Sequence, residues 1–454
     1  MADVTGLVSA GQEALWLAHQ LDPDSSAYNV VLAVRLRDPV RDDVLQEALT
    51  ALVTRHELLR SRFPGTAEGP VRRLRAPGSV RLDVREVPGA DEAELFRLAT
   101  AAGEEPFRPA TEGAFRAVLL RRTAADAVLV TATHHLVSDA TSQWLLVRDL
   151  FAEYGARTGL PAPRPAAAAD WDEQVRAERD FVASPRGARA AAYWRQVCAG
   201  LPAAELPTDR PRPPHRTLDG ATHEVVWDPH TAGRLRESAA RRALTPFAWL
   251  LGTFQAALHR SGCGDGFLIG CPATTRLTPA TREAVGYYVN ALPTAARFTP
   301  ATTLLGTVES AQDQLRRGLA QVRHPVELLG GGPDRGPLFR ISCTLVAADR
   351  LPVEGLYEGP VRLGGLRAEL CDVPQQEGQL DLTVEILQDS RGFKAVLRYD
   401  TGLFDAATLE RFGQTWRRLL DVSLDAPDTA VTDVGLVAHD DDLAFLLALG
   451  SGAA

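Results

Sequence analysis

Two adjacent imidazoles, His134 and His135, followed by Asp139, are the residues of this chain best placed to move a proton. They lie in Thr131-Ala-Thr-His-His-Leu-Val-Ser-Asp139-Ala140. An imidazole titrates near neutrality, so it can take a proton from an incoming nucleophile or hold a developing charge. The apolar run Ala127–Thr133 ahead of the pair reads as a buried strand, and Gln143–Leu150 behind it carries apolar residues at helical spacing. The histidines therefore sit at a strand-to-helix corner, where side chains escape core packing. Asp139, close to the helix start, is favoured by the exposed amides there. The same residues allow a second reading, in which one histidine is satisfied in the core, the other is solvated and Asp139 is a plain cap. A metal site is the weaker expectation. Adjacent histidines point in different directions, and no His-Glu-x-x-His or Cys-x-x-Cys completes a ligand set.

Composition bounds what can surround this corner. A chain of 454 residues is too long for one typical core, so two domains are expected. Its 45% hydrophobic and 24% charged residues are ordinary for a folded globular protein. The net charge of −9 argues against nucleic acid as a ligand, while leaving room for a local basic patch that meets an acidic protein. Cysteines 198, 263, 271, 343 and 371 form an odd, scattered set that suits a reducing cytoplasm better than a disulfide framework. Neither a signal peptide nor an apolar run of membrane-spanning length is visible, so a cytoplasmic protein without a membrane partner is expected.

The elements that position the corner read in order. Ser9 and Gln12 form a capping box for a helix through Leu21; a strand follows over Tyr28–Leu36 and a helix over Asp42–Arg55. Arg55-His-Glu-Leu-Leu-Arg-Ser-Arg-Phe63 is expected to run into a strand with a solvated charged face. Short strands near 71–74 and 80–84, a helix over 92–102 and a strand over 115–121 lead to the corner, in an α+β order. Helices over 168–181 and 188–198 are flanked by Pro-rich, extended seams at 161–169 and 206–214. The second half repeats the alphabet: strands at 221–227, 266–271, 338–346, 379–386 and 394–399, and helices at 231–240, 246–259, 303–321 and 405–421. Pro272–Arg276 is expected as a loop.

Taken together, several of these stretches resemble the condensation domains of non-ribosomal peptide synthetases. His134-His-Leu-Val-Ser-Asp139 is similar to the family's His-His-x-x-x-Asp-Gly signature. Ser9-Ala-Gly-Gln12 with Leu15-Trp-Leu17 resembles its opening motif, and Arg55–Phe63 its second. Tyr193-Trp194 with Leu206–Pro213 is similar to the passage between lobes, and Val285-Gly-Tyr-Tyr-Val-Asn290-Ala-Leu-Pro293 to the Gly-x-x-x-Asn segment. Leu380–Glu385 and Tyr399–Asp405 match the closing patterns.

The resemblance implies an α+β fold of two chloramphenicol-acetyltransferase-like lobes arranged as a V with a tunnel between them, residues 1–178 forming the first lobe and 179–454 the second. It implies His135 as general base or positioner, His134 and Asp139 as structural support, and Arg276 as the second-lobe partner of Asp139. Asn290 is expected either to line the tunnel or to close a backbone hydrogen bond. The family's Gly after Asp is Ala140 here, next to the substrate path; Ala fits without strain if the local φ is negative. No cofactor is expected to stay bound, since the acyl donor would arrive on the phosphopantetheine arm of a separate carrier protein. No Asp-x-x-x-x-Asp-x-x-Ser suggests cyclisation. The short flanks around the motifs suggest a free-standing acyltransferase that forms an ester or an amide with a small-molecule acceptor, ester slightly favoured. The alternatives are a carrier-binding scaffold without chemistry and a coenzyme-A-dependent acyltransferase.

Overall fold

The computed structural model describes residues 5–160, 169–213, 219–329, 337–373 and 379–436. Most of the first Pro-rich seam, 161–168, and Pro214 of the second lie outside them. The chain builds two six-stranded sheets, each with its own core. The first runs, edge to edge, through Val361–Leu363, Leu366–Cys371, Asn29–Leu36, Asp126–His134, Phe115–Thr123 and Leu82–Glu86. Its central strand Asp126–His134 is buried along its whole length. Alternation explains how: Ala127 and Leu129 pack into the larger core with helices Asp42–Arg55 and Ala140–Arg157, while Val128 and Val130 pack against helix Glu92–Glu104 on the other face. Burying each Val or Leu stabilises by about 1.5–3 kcal/mol, so the strand that delivers the two histidines is firmly held.

The second sheet has the order Gly220–Trp227, Phe393–Asp400, Leu382–Gln388, Ile341–Ala347, Gly266–Thr274, Val289–Arg297. Helices Pro246–Leu258, Leu304–Leu319 and Ala406–Asp425 cover it, with Trp249, Phe254 and Trp416 fully buried between. The cores change over between helix Trp171–Ala183, whose Trp171 and Val175 belong to the first, and helix Pro185–Cys198, whose Trp194 belongs to the second. Among the described residues no helix is long and apolar enough to cross a membrane.

Two findings differ from the sequence expectations, and a third, the strand Val289–Arg297, adds an element where none was assigned. Residues 361–371, expected within the second lobe, add a hairpin to the first sheet, with Leu366 and Ala368 in the first core. Val289–Arg297 is a strand despite Pro293; it is the sheet's edge, where a missing amide leaves no inner partner unpaired. Arg55–Phe63 is not a solvated strand face: it forms a 3-10 turn, Glu57–Arg60, and only a two-residue strand. His56, 3% exposed, points inward and its Nε2 meets Asp149 Oδ2 on the helix behind the corner at 3.1 Å, where Arg148 also pairs with Asp149. Removing Asp149, itself 1% exposed, leaves Arg148 and Arg55 without their shared counter-charge. Asp149→Ala is expected to lower unfolding free energy by about 3 kcal/mol, the low end for breaking a buried pair because Arg148 is partly solvated and also holds Glu283. Urea denaturation of the variant measures it.

Candidate active site

Backbone and side-chain hydrogen bonds together build the corner. His134 N donates to Ala114 O at 2.9 Å, ending the central strand, and His135 N donates to Tyr28 O at 2.8 Å. A 3-10 turn over His135–Val137 follows, and Asp139 caps helix Ala140–Arg157 by accepting from Ser142 N at 2.8 Å. Gln12, fully buried, does more than close the capping box expected of it: its Nε2 donates to Leu136 O at 2.6 Å and its Oε1 accepts from Trp171 Nε1 at 3.0 Å. The first helix, the corner and helix Trp171–Ala183 are thereby pinned to one another.

The two histidines divide their work. His134 is 1% exposed, its Nδ1 accepts from Leu136 N at 3.1 Å, and its ring packs edge-on against His19 at 5.2 Å. Burial, with His19 and His135 beside it, pushes its pKa well below the ordinary 6.5, so it is a neutral packing group. His135 is only partly buried. Its Nδ1 lies 2.9 Å from Ser138 O. A carbonyl can only accept, so Nδ1 carries the proton and Nε2 keeps its lone pair. Burial lowers the His135 pKa, against the opposing pull of the Asp139 charge and the Ser138 carbonyl. A base that is unprotonated at pH 7 results. The acid limb of a kcat/KM profile is therefore expected below pH 6.5, with a plateau above, checked by measuring rates from about pH 5 to 8. Stability carries the same sign. His134 and His56 are held neutral by burial when folded and bind protons more readily when unfolded, so their contribution is fully present above about pH 6.5 and falls off in acid.

Asp139 is the hub of the support. Arg276 Nη2 donates to Asp139 Oδ1 at 2.9 Å while Nη1 meets Oδ2, a bidentate pair with side chains 4% and 1% exposed. Tyr288 N donates to Oδ2 at 3.0 Å, and Arg276 Nη2 also reaches Ser142 Oγ at 2.8 Å and Ala284 O at 3.1 Å. The guanidinium lies over the Tyr288 ring, 4.5 Å from its centroid. Burial alone would raise the Asp139 pKa; Arg276 and the hydrogen bonds from Ser142 outweigh it and hold the carboxylate below its ordinary value. Arg276 comes from just beyond strand Gly266–Thr274, so this pair ties the second sheet to the His-His corner. The strand persists through Thr274, three residues further than Cys271, and only Thr275–Arg276 of the expected loop is irregular.

Ala140 is the first residue of its helix, exposed, and not among the residues with positive φ. Its methyl group costs no backbone strain. Asn290 gives its Nδ2 to Val322 O at 2.7 Å and His324 O at 2.6 Å, and its Oδ1 accepts from Val326 N at 3.0 Å. It closes backbone hydrogen bonds, and it also borders a narrow cavity at the junction of the lobes. Tyr287, not singled out from the sequence beyond its motif, lines the same cavity and sets its ring edge-on to His135, centroids 5.6 Å apart.

The family model described as Condensation domain matches residues 4–446. The chain belongs to the condensation-domain family. Phosphinothricin tripeptide synthetase PhsC of Streptomyces viridochromogenes is 30% identical over 424 residues, covering 90% of this condensation domain and 38% of the synthetase. The domain thus spans little more than a third of that relative. Among solved structures, the X-domain in complex with OxyB from teicoplanin biosynthesis superposes with a TM-score of 0.85 at 22% identity, over 97% of each chain. SgcC5 from Streptomyces globisporus does so with a TM-score of 0.77 at 24% identity, over 93% of this chain and 99% of that one. The fold is the two-lobed, chloramphenicol-acetyltransferase-like one expected from the sequence. Condensation domains are acyltransferases, so acyl transfer is the class of chemistry the family model supports.

Proposed function

We propose that this condensation domain moves an aminoacyl or acyl group from a carrier protein's phosphopantetheine thioester to a small-molecule alcohol or amine in natural-product biosynthesis, with His135 as the base. The observation that carries the reading is the fixed tautomer of a neutral, partly exposed His135 at the lobe junction. Nε2 takes the proton of the attacking O–H or N–H as the new bond to the thioester carbonyl forms. The tetrahedral intermediate then expels the pantetheine sulfur, which leaves with the proton from the imidazolium, so His135 ends neutral again. No cofactor stays with the protein. An alcohol is the poorer nucleophile while protonated and gains more from such a base, which favours the ester. The SgcC5 structure, a complex with an aryl 1,2-ethanediol, is in keeping with an alcohol acceptor. Five free cysteines suit a reducing cytoplasm.

The test incubates purified protein with a panel of carrier-loaded donors and mixed amine and alcohol acceptors, and reads products by mass spectrometry. Product from carrier-loaded donors is the expected result. Equal product from free acyl-coenzyme A would replace the carrier with a coenzyme-A donor. The likeness to an X-domain solved with a protein partner, OxyB, is in keeping with a second reading in which the fold binds a protein without turnover, here a carrier protein. Carrier binding with no product across the whole panel would establish that one.

A further inference from the structure

The side chain in ring contact with His135 also walls a cavity that the transfer step does not use. Tyr287 touches the imidazole and also borders a space of ≈ 40 Å³ lined by Ser9, Gly11, Glu178, Asn290, Arg323 and Glu327 among others. A small-molecule site needs several hundred Å³, so with the ring in place this space holds no substrate. The position is not accidental packing. Gly11 lies within a helix without positive φ, so it is not there for backbone freedom; a Cβ on it would come 2.4 Å from Tyr287 Cε1 and 3.0 Å from Cδ1. A bare glycine is what lets the ring lie where it does. Beyond the ring are two carboxyls. Glu178 accepts from Ala10 N at 2.9 Å, and Glu327 Oε1 is 3.5 Å from the position of that same absent Cβ. Burial raises the pKa of both, and each carboxyl is near the other. Arg323, the cavity's cation, lies over the Phe181 ring at 4.7 Å.

We propose that Tyr287 is the specificity-determining side chain for the acceptor: its ring separates His135 from the carboxyl-lined cavity and restricts the acceptor to one that fits beside the ring. This rests on the reading of His135 as the base. The group that hands its proton to Nε2 must touch the imidazole, and Tyr287 is in ring contact with that imidazole. Without the ring, the cavity joins the space at His135, and an acceptor with a second, cationic end can reach Glu178 and Glu327.

Two readouts test this on the full chain. The first needs no turnover: the rate at which diethyl pyrocarbonate modifies His135, followed by peptide mass spectrometry, is expected to rise several-fold in Tyr287→Ala and stay at the parent value in Tyr287→Phe. The second compares 1,4-diaminobutane with n-butylamine as acceptors for a carrier-loaded donor. The product ratio is expected to move about tenfold toward the diamine in Tyr287→Ala, and to return in Tyr287→Ala/Glu327→Gln. An unchanged modification rate in a folded Tyr287→Ala, or an unchanged ratio, overturns the proposal. Should Tyr287→Ala not fold, Tyr287→Leu makes the same comparison. If the parent chain transfers to no acceptor, the base reading falls, and the modification rates still decide the place of Tyr287.

Discussion

His135→Ala is expected to lower kcat/KM for acyl transfer by about 10²–10⁴, the range for loss of a positioned general base, with little change in stability. The side chain is partly exposed and makes one hydrogen bond, to the Ser138 carbonyl, worth roughly 1 kcal/mol net. His134→Ala should show the reverse balance. That ring is 1% exposed among His19, Tyr28 and Phe107, so its removal opens a cavity and frees the Leu136 amide it accepts from. Stability should drop by about 2–4 kcal/mol, and residual activity in the folded fraction should exceed that of His135→Ala. Parallel thermal melts and initial rates separate the two. Equal rates from His135→Ala and the parent would remove the imidazole from the chemistry. If the acceptor is an alcohol, the loss should lie toward the upper end, since a neutral amine can attack before giving up its proton.

Spacing alone did not separate the two histidines, because adjacent residues at a strand end diverge and tertiary packing decides which one is enclosed; only the family resemblance gave them different roles. What could be read was the corner itself: a continuous apolar strand, a cap residue and a helix are local signals, and all three lie where spacing put them. Periodicity also located most helices within a few residues, Asp42–Arg55 to the residue. The missed hairpin at 361–371 left a signal. Leu363-Gly-Gly-Leu366 is a two-residue turn between alternating runs, with Gly364 at φ 54° and Gly365 at φ 89°. Other site features had no local signal at all. Gln12 reaches Leu136, and Asp149 reaches His56, across gaps of 124 and 93 residues. Such pairings are fixed by how sheets and helices stack, which hydrophobic spacing alone does not specify. Charge was misleading for the same reason: Arg55–Phe63 looked solvated because Asp149, which meets Arg55 and His56, lies far along the chain.

Arg276→Ala should be the most damaging change outside the base. It leaves Asp139 buried and unpaired, a situation that costs about 3–5 kcal/mol, and it also removes the contacts to Ser142 Oγ and Ala284 O that tie the second sheet to the helix start. The pH dependence identifies the cause. In the parent, Asp139 is held below its ordinary pKa, so its contribution is present above about pH 4 and lost as the carboxylate protonates in acid. In the variant, burial is opposed only by the hydrogen bonds from Ser142 and the Tyr288 amide, so that pKa rises and the folded state accepts a proton more readily, shedding the unpaired charge. The stability gap between variant and parent should therefore narrow as pH falls from 7 toward 5, measured by urea denaturation. A gap independent of pH would mean that lost packing against Tyr288, rather than the stranded carboxylate, is responsible. Arg276→Lys keeps the charge without the bidentate fork and should recover only part of the loss. Activity should follow geometry: a shift of about 1 Å at the corner can cost about 10²-fold, so kcat of folded Arg276→Ala should fall although Arg276 touches no reacting atom.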